Sequence, residues 1–209
     1  MSARERILGR VRAALKERPP AEHPGAFEGW RPVPPTGPPV DSFEALFKAA
    51  GGEVVRVPDR AAAAAWLTKF SGDFSSVTVG ETVPADLQPN LPRARADRAP
   101  LALSMARGGV AETGSLILDA RDGRRTQLLA PTHVVLVQAR DIHETLSDAL
   151  ASLRTDLPSA IGFHSGPSKS ADIGQIMVKG VHGPGRVVAL VELADARAAP
   201  QGTHATGDT

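Results

Sequence analysis

"DSFEALFKAAGGEVVRVPDRAAAAAWLTKFSGDFSSVTVG", residues 41–80, decides the fold. Its two short runs "EVVRV" (53–57) and "SVTVG" (76–80) read as strands, because β-branched valine suits a pleated backbone. Between them, "DRAAAAAWLTKF" (59–70) reads as a helix opening on Asp59. Upstream, "DSFE" has the spacing of a capping box, Asp41 with Glu44. It predicts a helix through Ala50 that Gly51 and Gly52 end. Helix–strand–helix–strand alternation predicts an α/β fold: a mainly parallel sheet with flanking helices.

The rest of the chain extends this pattern. "LALSMA" (101–106), "THVVLVQA" (132–139) and "RVVALVEL" (186–193) read as strands, and "AIGFH" (160–164) as a further strand of the same sheet. "SLILDA" (115–120) and "RTQLLA" (125–130) flank "RDGR", whose Asp122-Gly123 step predicts a β-hairpin element. "DIHETLSDALASLR" (141–154) reads as a helix. Residues 1–18 form an N-terminal amphipathic helix in which Ile7, Leu8, Val11 and Leu15 share a face. That face either packs on the domain or docks a partner. Residues 19–40 are a Pro-rich linker, residues 41–194 the α/β domain, and residues 195–209 a small, polar tail expected to be disordered.

With 209 residues, 42% apolar and 22% charged, the chain can build one good core. A formal net charge of +1 gives no global field toward nucleic acid. No apolar run approaches a bilayer-spanning length, and the charged N-terminus lacks the apolar core of a signal peptide. No membrane insertion and a cytoplasmic address are the expectations. The sequence has no cysteine. Disulfides, thiolate catalysis and cysteine-ligated iron–sulfur clusters in this chain are thereby excluded. The 6 histidines, at 23, 133, 143, 164, 182 and 204, show no metal-ligand spacing, so no metal site is read.

Three turns carry residues with chemistry. In "GGVAETGSLIL" (108–118), Glu112 sits in a glycine-flanked bend, where a carboxylate can serve as nucleophile or general base. The structural alternative is a bulge in which Glu112 and Thr113 bond nearby amides. In "GPSKSADI" (166–173), Gly166 and Pro167 break the preceding strand, and Ser168, Lys169 and Ser170 are predicted to begin a helix at the C-terminal edge of the sheet. Free amides, two hydroxyls and an ammonium there would hold a small carboxylate or phosphate; the alternative is a simple cap. The stretch lacks the first glycine of a nucleotide-binding P-loop, so nucleotide hydrolysis is unsupported. In "GVHGPGR" (180–186), His182 is expected to approach the same cleft, as are Glu112 and Thr113. No Ser-His-Asp set or dinucleotide fingerprint is present.

Taken together, "GVAETGSLIL" (109–118), "APTHVVLV" (130–137) and "SGPSKSADIGQIMVKGVHGPG" (165–185), in this order and spacing, resemble the LUD-domain family, in particular its lactate-utilisation C branch. The basic N-terminal helix fits as well. The resemblance implies a fold like those of ribose-phosphate isomerase and the CoA transferases. It also implies a role as the non-cluster subunit of a system oxidising L-lactate to pyruvate, with iron–sulfur clusters on partner proteins and no cofactor in this chain. CoA transferases of this fold class carry a nucleophilic glutamate before a glycine, to which Glu112-Thr113-Gly114 is similar. Two alternatives stand beside that reading: a stand-alone acyl- or CoA-transferase-like enzyme using Glu112, and a non-enzymatic assembly factor that docks through the helix at 3–18.

Overall fold

The computed structural model describes residues 2–16, 37–171 and 177–194. In chain order the elements are α1 (Ala3–Lys16), α2 (Pro39–Ala49), β1 (Glu53–Val57), α3 (Arg60–Ser71), β2 (Val77–Val79), β3 (Leu101–Met105), β4 (Gly108–Val110), β5 (Ser115–Asp119), α4 (Arg124–Leu129), β6 (Thr132–Gln138), β7 (Ile142–His143), α5 (Leu146–Leu153), β8 (Ile161–His164), β9 (Lys169–Ser170), β10 (Val178–Lys179) and β11 (Arg186–Glu192). Helix α1 belongs to a unit of its own, residues 1–33. Its Glu5 lies in the first turn and Lys16 in the last, the arrangement that a helix dipole favours. Most of the linker, and the whole tail, lie outside the described residues.

β6 and β11 are buried along nearly their whole length, which is what continuous apolar runs achieve when both faces of a sheet are covered. They sit centrally in a five-stranded sheet of order β1-β11-β6-β3-β2. Every pairing in it is parallel, as the alternation of strands and helices predicts. One face carries Val134, Leu136, Val188 and Leu190, packed under Ala63 and Leu67 of α3. That helix opens as expected on Asp59, whose carboxylate accepts from the Ala62 amide at 2.8 Å. The opposite face carries Val135, Val137, Ala189 and Val191, and meets Phe43 and Phe47 of α2 together with Leu116 and Leu118 of β5.

A second, four-stranded sheet of order β7-β4-β5-β8 supplies that cover. β4–β5 and β5–β8 pair antiparallel, whereas β4–β7 pair in parallel. Its other side, Val110 and Ile117, packs on Ala149 and Leu153 of α5. The strand "AIGFH" therefore belongs to this sheet and not to the parallel one.

Local turn chemistry misleads at three points. The segment after Asp122-Gly123 is helix α4 and no hairpin. The Asp122 carboxylate is buried and accepts from the Thr82 amide, the Thr82 hydroxyl and the Met105 amide, each at 2.7 Å. These long-range bonds fix the turn independently of its dipeptide preference. The antiparallel hairpin is instead β4–β5, closed by the Glu112 turn. Helix α2 opens at Pro39, two residues before the predicted cap, and no side chain caps it. Asp41 and Glu44 both pair with Arg56 on β1 instead, and the hydrogen bond from Lys48, seconded by Arg56, holds the Glu44 carboxyl below its usual range. The helix predicted over 141–154 begins only at Leu146, because Ile142 and His143 pair with Gly109 and Val110 and Thr145 caps the helix start.

Candidate functional site

The Glu112 turn is pressed against α2. Gly114 has φ +59, and a Cβ there would stand 2.6 Å from the Leu46 Cβ and 2.6 Å from the Phe47 amide nitrogen; only glycine fits. The Ala111 amide donates to the His143 carbonyl at 2.8 Å, and the Glu112 amide to the Glu144 carbonyl at 3.1 Å. These bonds carry the Glu112 side chain to the start of α5, where the Leu146 amide donates to Oε1 at 2.6 Å. A carboxylate is favourable at that place, among amides with no partner inside the helix. Its second oxygen, Oε2, is buried without a hydrogen-bond partner.

Within "GPSKS", Lys169 and Ser170 form a short strand, and no helix starts there. Lys169 and Ser170 pair antiparallel with Lys179 and Val178. The Ser168 amide donates to the Pro184 carbonyl at 2.9 Å, and the Gly180 amide to the Ser168 carbonyl at 2.9 Å. Amides used in this way by the 180–184 loop are not left free as a helix N-terminus would leave them. The Lys169 ammonium donates to the carbonyl of Ala50, at the C-terminal end of α2 where a cation is favoured. Gly166, with φ +122, turns the chain onto the same helix end: a Cβ there would lie 3.2 Å from the Ala50 oxygen.

Some of the expected residues are brought together. The Thr113 hydroxyl donates to Ser115 Oγ at 2.8 Å, and Ser115 Oγ lies 2.7 Å from Ser165 Oγ. The first and second turns thus meet through a chain of hydroxyls. The His182 amide donates to Ser168 Oγ at 3.3 Å, which joins the third turn to the second, while the His182 side chain is exposed. Glu112 Oε1 is engaged by α5, the Lys169 ammonium holds the end of α2, and the Ser168 amide is taken by Pro184, which leaves Glu112 Oε2 as the unpartnered carboxylate oxygen of this region.

A different concavity went unread in the sequence. A pocket of about 140 Å³ opens beside β5 and β8, lined by Leu118, Asp119, Arg124, Gln127, Ile161 and His164 among others. His164 pairs with Leu116 across β5–β8, so it faces the space between the sheets, as Leu116 does. His133 lies on the same face of β6 as Val135 and Val137 and looks into that space from the other side. It is wholly buried, with Nε2 2.9 Å from the buried Ser104 hydroxyl and Nδ1 without a partner. Burial, and secondarily the charge of His164, push His133 down to about 3; burial also lowers His164. A histidine inside the apolar run "THVVLV" is a visible signal for the first of these. Asp119 and Arg124 gave none while their segment read as a hairpin. Among the described residues no group of three or more His, Asp or Glu is placed to hold a metal ion, and no helix is long and apolar enough to cross a membrane.

Comparison with known proteins agrees with this architecture. The family model of the LUD domain matches residues 90–191. The chain is 37% identical over 122 residues to a protein of Deinococcus radiodurans named Lactate utilization protein C, a match covering 55% of this chain and 56% of that one. It is 36% identical over 99 residues to the protein of the same name from Anoxybacillus flavithermus, covering 46% and 45%. The chain thus spans about half the length of the curated relatives it matches. A crystal structure of a DUF162 family protein from Deinococcus radiodurans superimposes with a TM-score of 0.58 at 20% identity, covering 74% of this chain and 96% of that one, a likeness of fold. The parallel sheet and the Glu112 hairpin laid against it lie largely within the matched segment, and residues 90–191 of this chain are similar to the LUD domain.

Proposed function

We propose that this chain works in lactate utilisation, as a component without clusters beside iron–sulfur partner proteins that oxidise L-lactate to pyruvate. The observation that carries the reading is the 37% identity to a protein named Lactate utilization protein C. The absence of cysteine supports the division of labour: thiolates are the usual ligands of such clusters, so the electrons of lactate oxidation pass through the partners. This chain contributes a folded scaffold and a place for a small anionic ligand. The test is affinity purification of the tagged full chain from its own cells grown on L-lactate. Co-purification of iron-bearing proteins and lactate-dependent dye reduction are expected. Recovery of the chain alone, or of iron bound stoichiometrically to the chain by itself, would contradict the proposal.

One observation favours a second reading, acyl transfer by Glu112: its Oε2 is buried and unpartnered, which leaves one carboxylate oxygen uncommitted. Incubation with acyl-CoA followed by mass spectrometry decides it. An acyl or CoA adduct on Glu112 supports transfer, and an unmodified Glu112 removes it.

A further inference from the structure

We propose that the pocket beside β5 and β8 binds a short-chain monocarboxylate, a 2-hydroxy or 2-oxo acid, with Arg124 pairing its carboxylate and His164 its hydroxyl or keto oxygen. The choice of acid rests on the proposed role in lactate utilisation; the site itself rests on the geometry.

Size sets the first limit. A volume of about 140 Å³ is close to that of a cavity accepting benzene, so a ligand of about six heavy atoms fits and a nucleotide does not. Chemistry sets the second. The walls at Leu118, Leu128 and Ile161 are apolar and suit a short alkyl group. Charge sets the third. Asp119 in the wall is already attended by Arg121 Nε at 3.5 Å and Arg107 Nε at 3.9 Å. Both arginines also hold Asp156, at 2.7 Å and 3.1 Å. The Arg124 guanidinium, on the same wall, has no hydrogen bond or ion pair among the described residues. Asp119 and Asp156 thus already have their arginines, and the Arg124 guanidinium on the pocket wall is left uncommitted for an anion. Arginine's planar fork matches a carboxylate.

His164 is placed by its neighbour. Its ring folds back over Gly162, with Nε2 only 2.9 Å from where a Cβ on residue 162 would stand, so any side chain at 162 displaces the imidazole. The ring makes no hydrogen bond among the described residues. Burial keeps it neutral at neutral pH, with one nitrogen to donate and one to accept. The charged residues on the pocket wall are Asp119 and Arg124, and the titratable group behind it is the neutral His133.

The experiment uses the full chain with ¹³C-labelled histidine, titrated at pH 7.5 with sodium L-lactate and with sodium pyruvate against matched sodium chloride. A saturable shift of the His164 resonance with at least one of the acids is expected, and none with chloride. Arg124→Gln, at an exposed unpaired residue, should weaken the affinity by roughly tenfold, the size of one charge-assisted hydrogen bond. Gly162→Ala should weaken it as well, and Lys169→Ala should leave it unchanged. A His164 resonance unmoved by both acids, a shift reproduced by chloride, or equal affinity in Arg124→Gln overturns the site. Binding that behaves as expected in a chain that captures no iron-bearing partner would keep the site and overturn only the proposed role.

Discussion

Moving the protein from pH 7.5 to pH 5.0 is expected to cost it about 2 kcal/mol of stability through His133 alone. The imidazole is wholly enclosed, its Nδ1 has no partner, and it titrates at about 3 in the fold. In the unfolded chain an ordinary histidine titrates near 6.5. A folded pKa below the unfolded one means that the unfolded state takes up the proton first. The contribution is therefore fully present above about pH 6.5 and is lost as pH falls from there toward the folded value. At pH 5.0 the unfolded state gains the free energy of protonating a group about 1.5 units above the ambient pH, which is about 2 kcal/mol; the folded state gains nothing. The window stays above the ordinary carboxylate range, so ion-paired groups such as Glu53 and Asp86, held low by arginine, add little. The comparison protein is His133→Gln, whose terminal amide can keep the bond to Ser104 Oγ that Nε2 makes at 2.9 Å but cannot titrate. Urea unfolding of both proteins at several pH values reads the difference, and contributions shared with the variant, including that of His164, cancel. A wild-type loss exceeding that of the variant by about 2 kcal/mol at pH 5.0 is expected. Parallel pH profiles would refute the buried, neutral His133.

Two further outcomes follow from single side chains. Asp122→Ala should lower stability by about 3–5 kcal/mol in urea unfolding, because it strands the Thr82 amide, the Thr82 hydroxyl and the Met105 amide together; a loss below about 1 kcal/mol would contradict the role of this carboxylate as a tertiary tie. Glu112→Gln should lower the melting temperature by the equivalent of about 1 kcal/mol, through a weakened bond to the Leu146 amide, and an unchanged melting temperature would show the cap to be idle.

The parallel sheet was legible because its evidence is spread along the chain. "THVVLV" and "RVVALVE" are apolar without alternation, and runs of that kind demand cover on both faces, which α2, α3 and the second sheet provide. The helix at Asp59 was legible because its cap is local. What escaped depends on partners far away in the chain. Asp122-Gly123 is a good hairpin signal until Thr82 and Met105 hold the aspartate. "SKS" after Gly-Pro reads the same whether it caps a helix or pairs with residues 178–179, and only the loop at 180–184 decides. Two-residue strands such as β7 and β9 are too short to carry a period. Within the candidate site, the meeting of the Glu112 turn with the Ser165–Lys169 stretch was anticipated from three turns beside strand ends. The pocket at Arg124 and His164 was not, since a hairpin at 122–123 would have left no helix to form its wall.

The most direct measurement is growth of the source organism on L-lactate as sole carbon source after deletion of the gene for this chain. Loss of growth on L-lactate, with growth on glucose unaffected and rescue by the wild-type gene, is the predicted result; undiminished growth of the deletion strain on L-lactate would contradict a role in lactate utilisation.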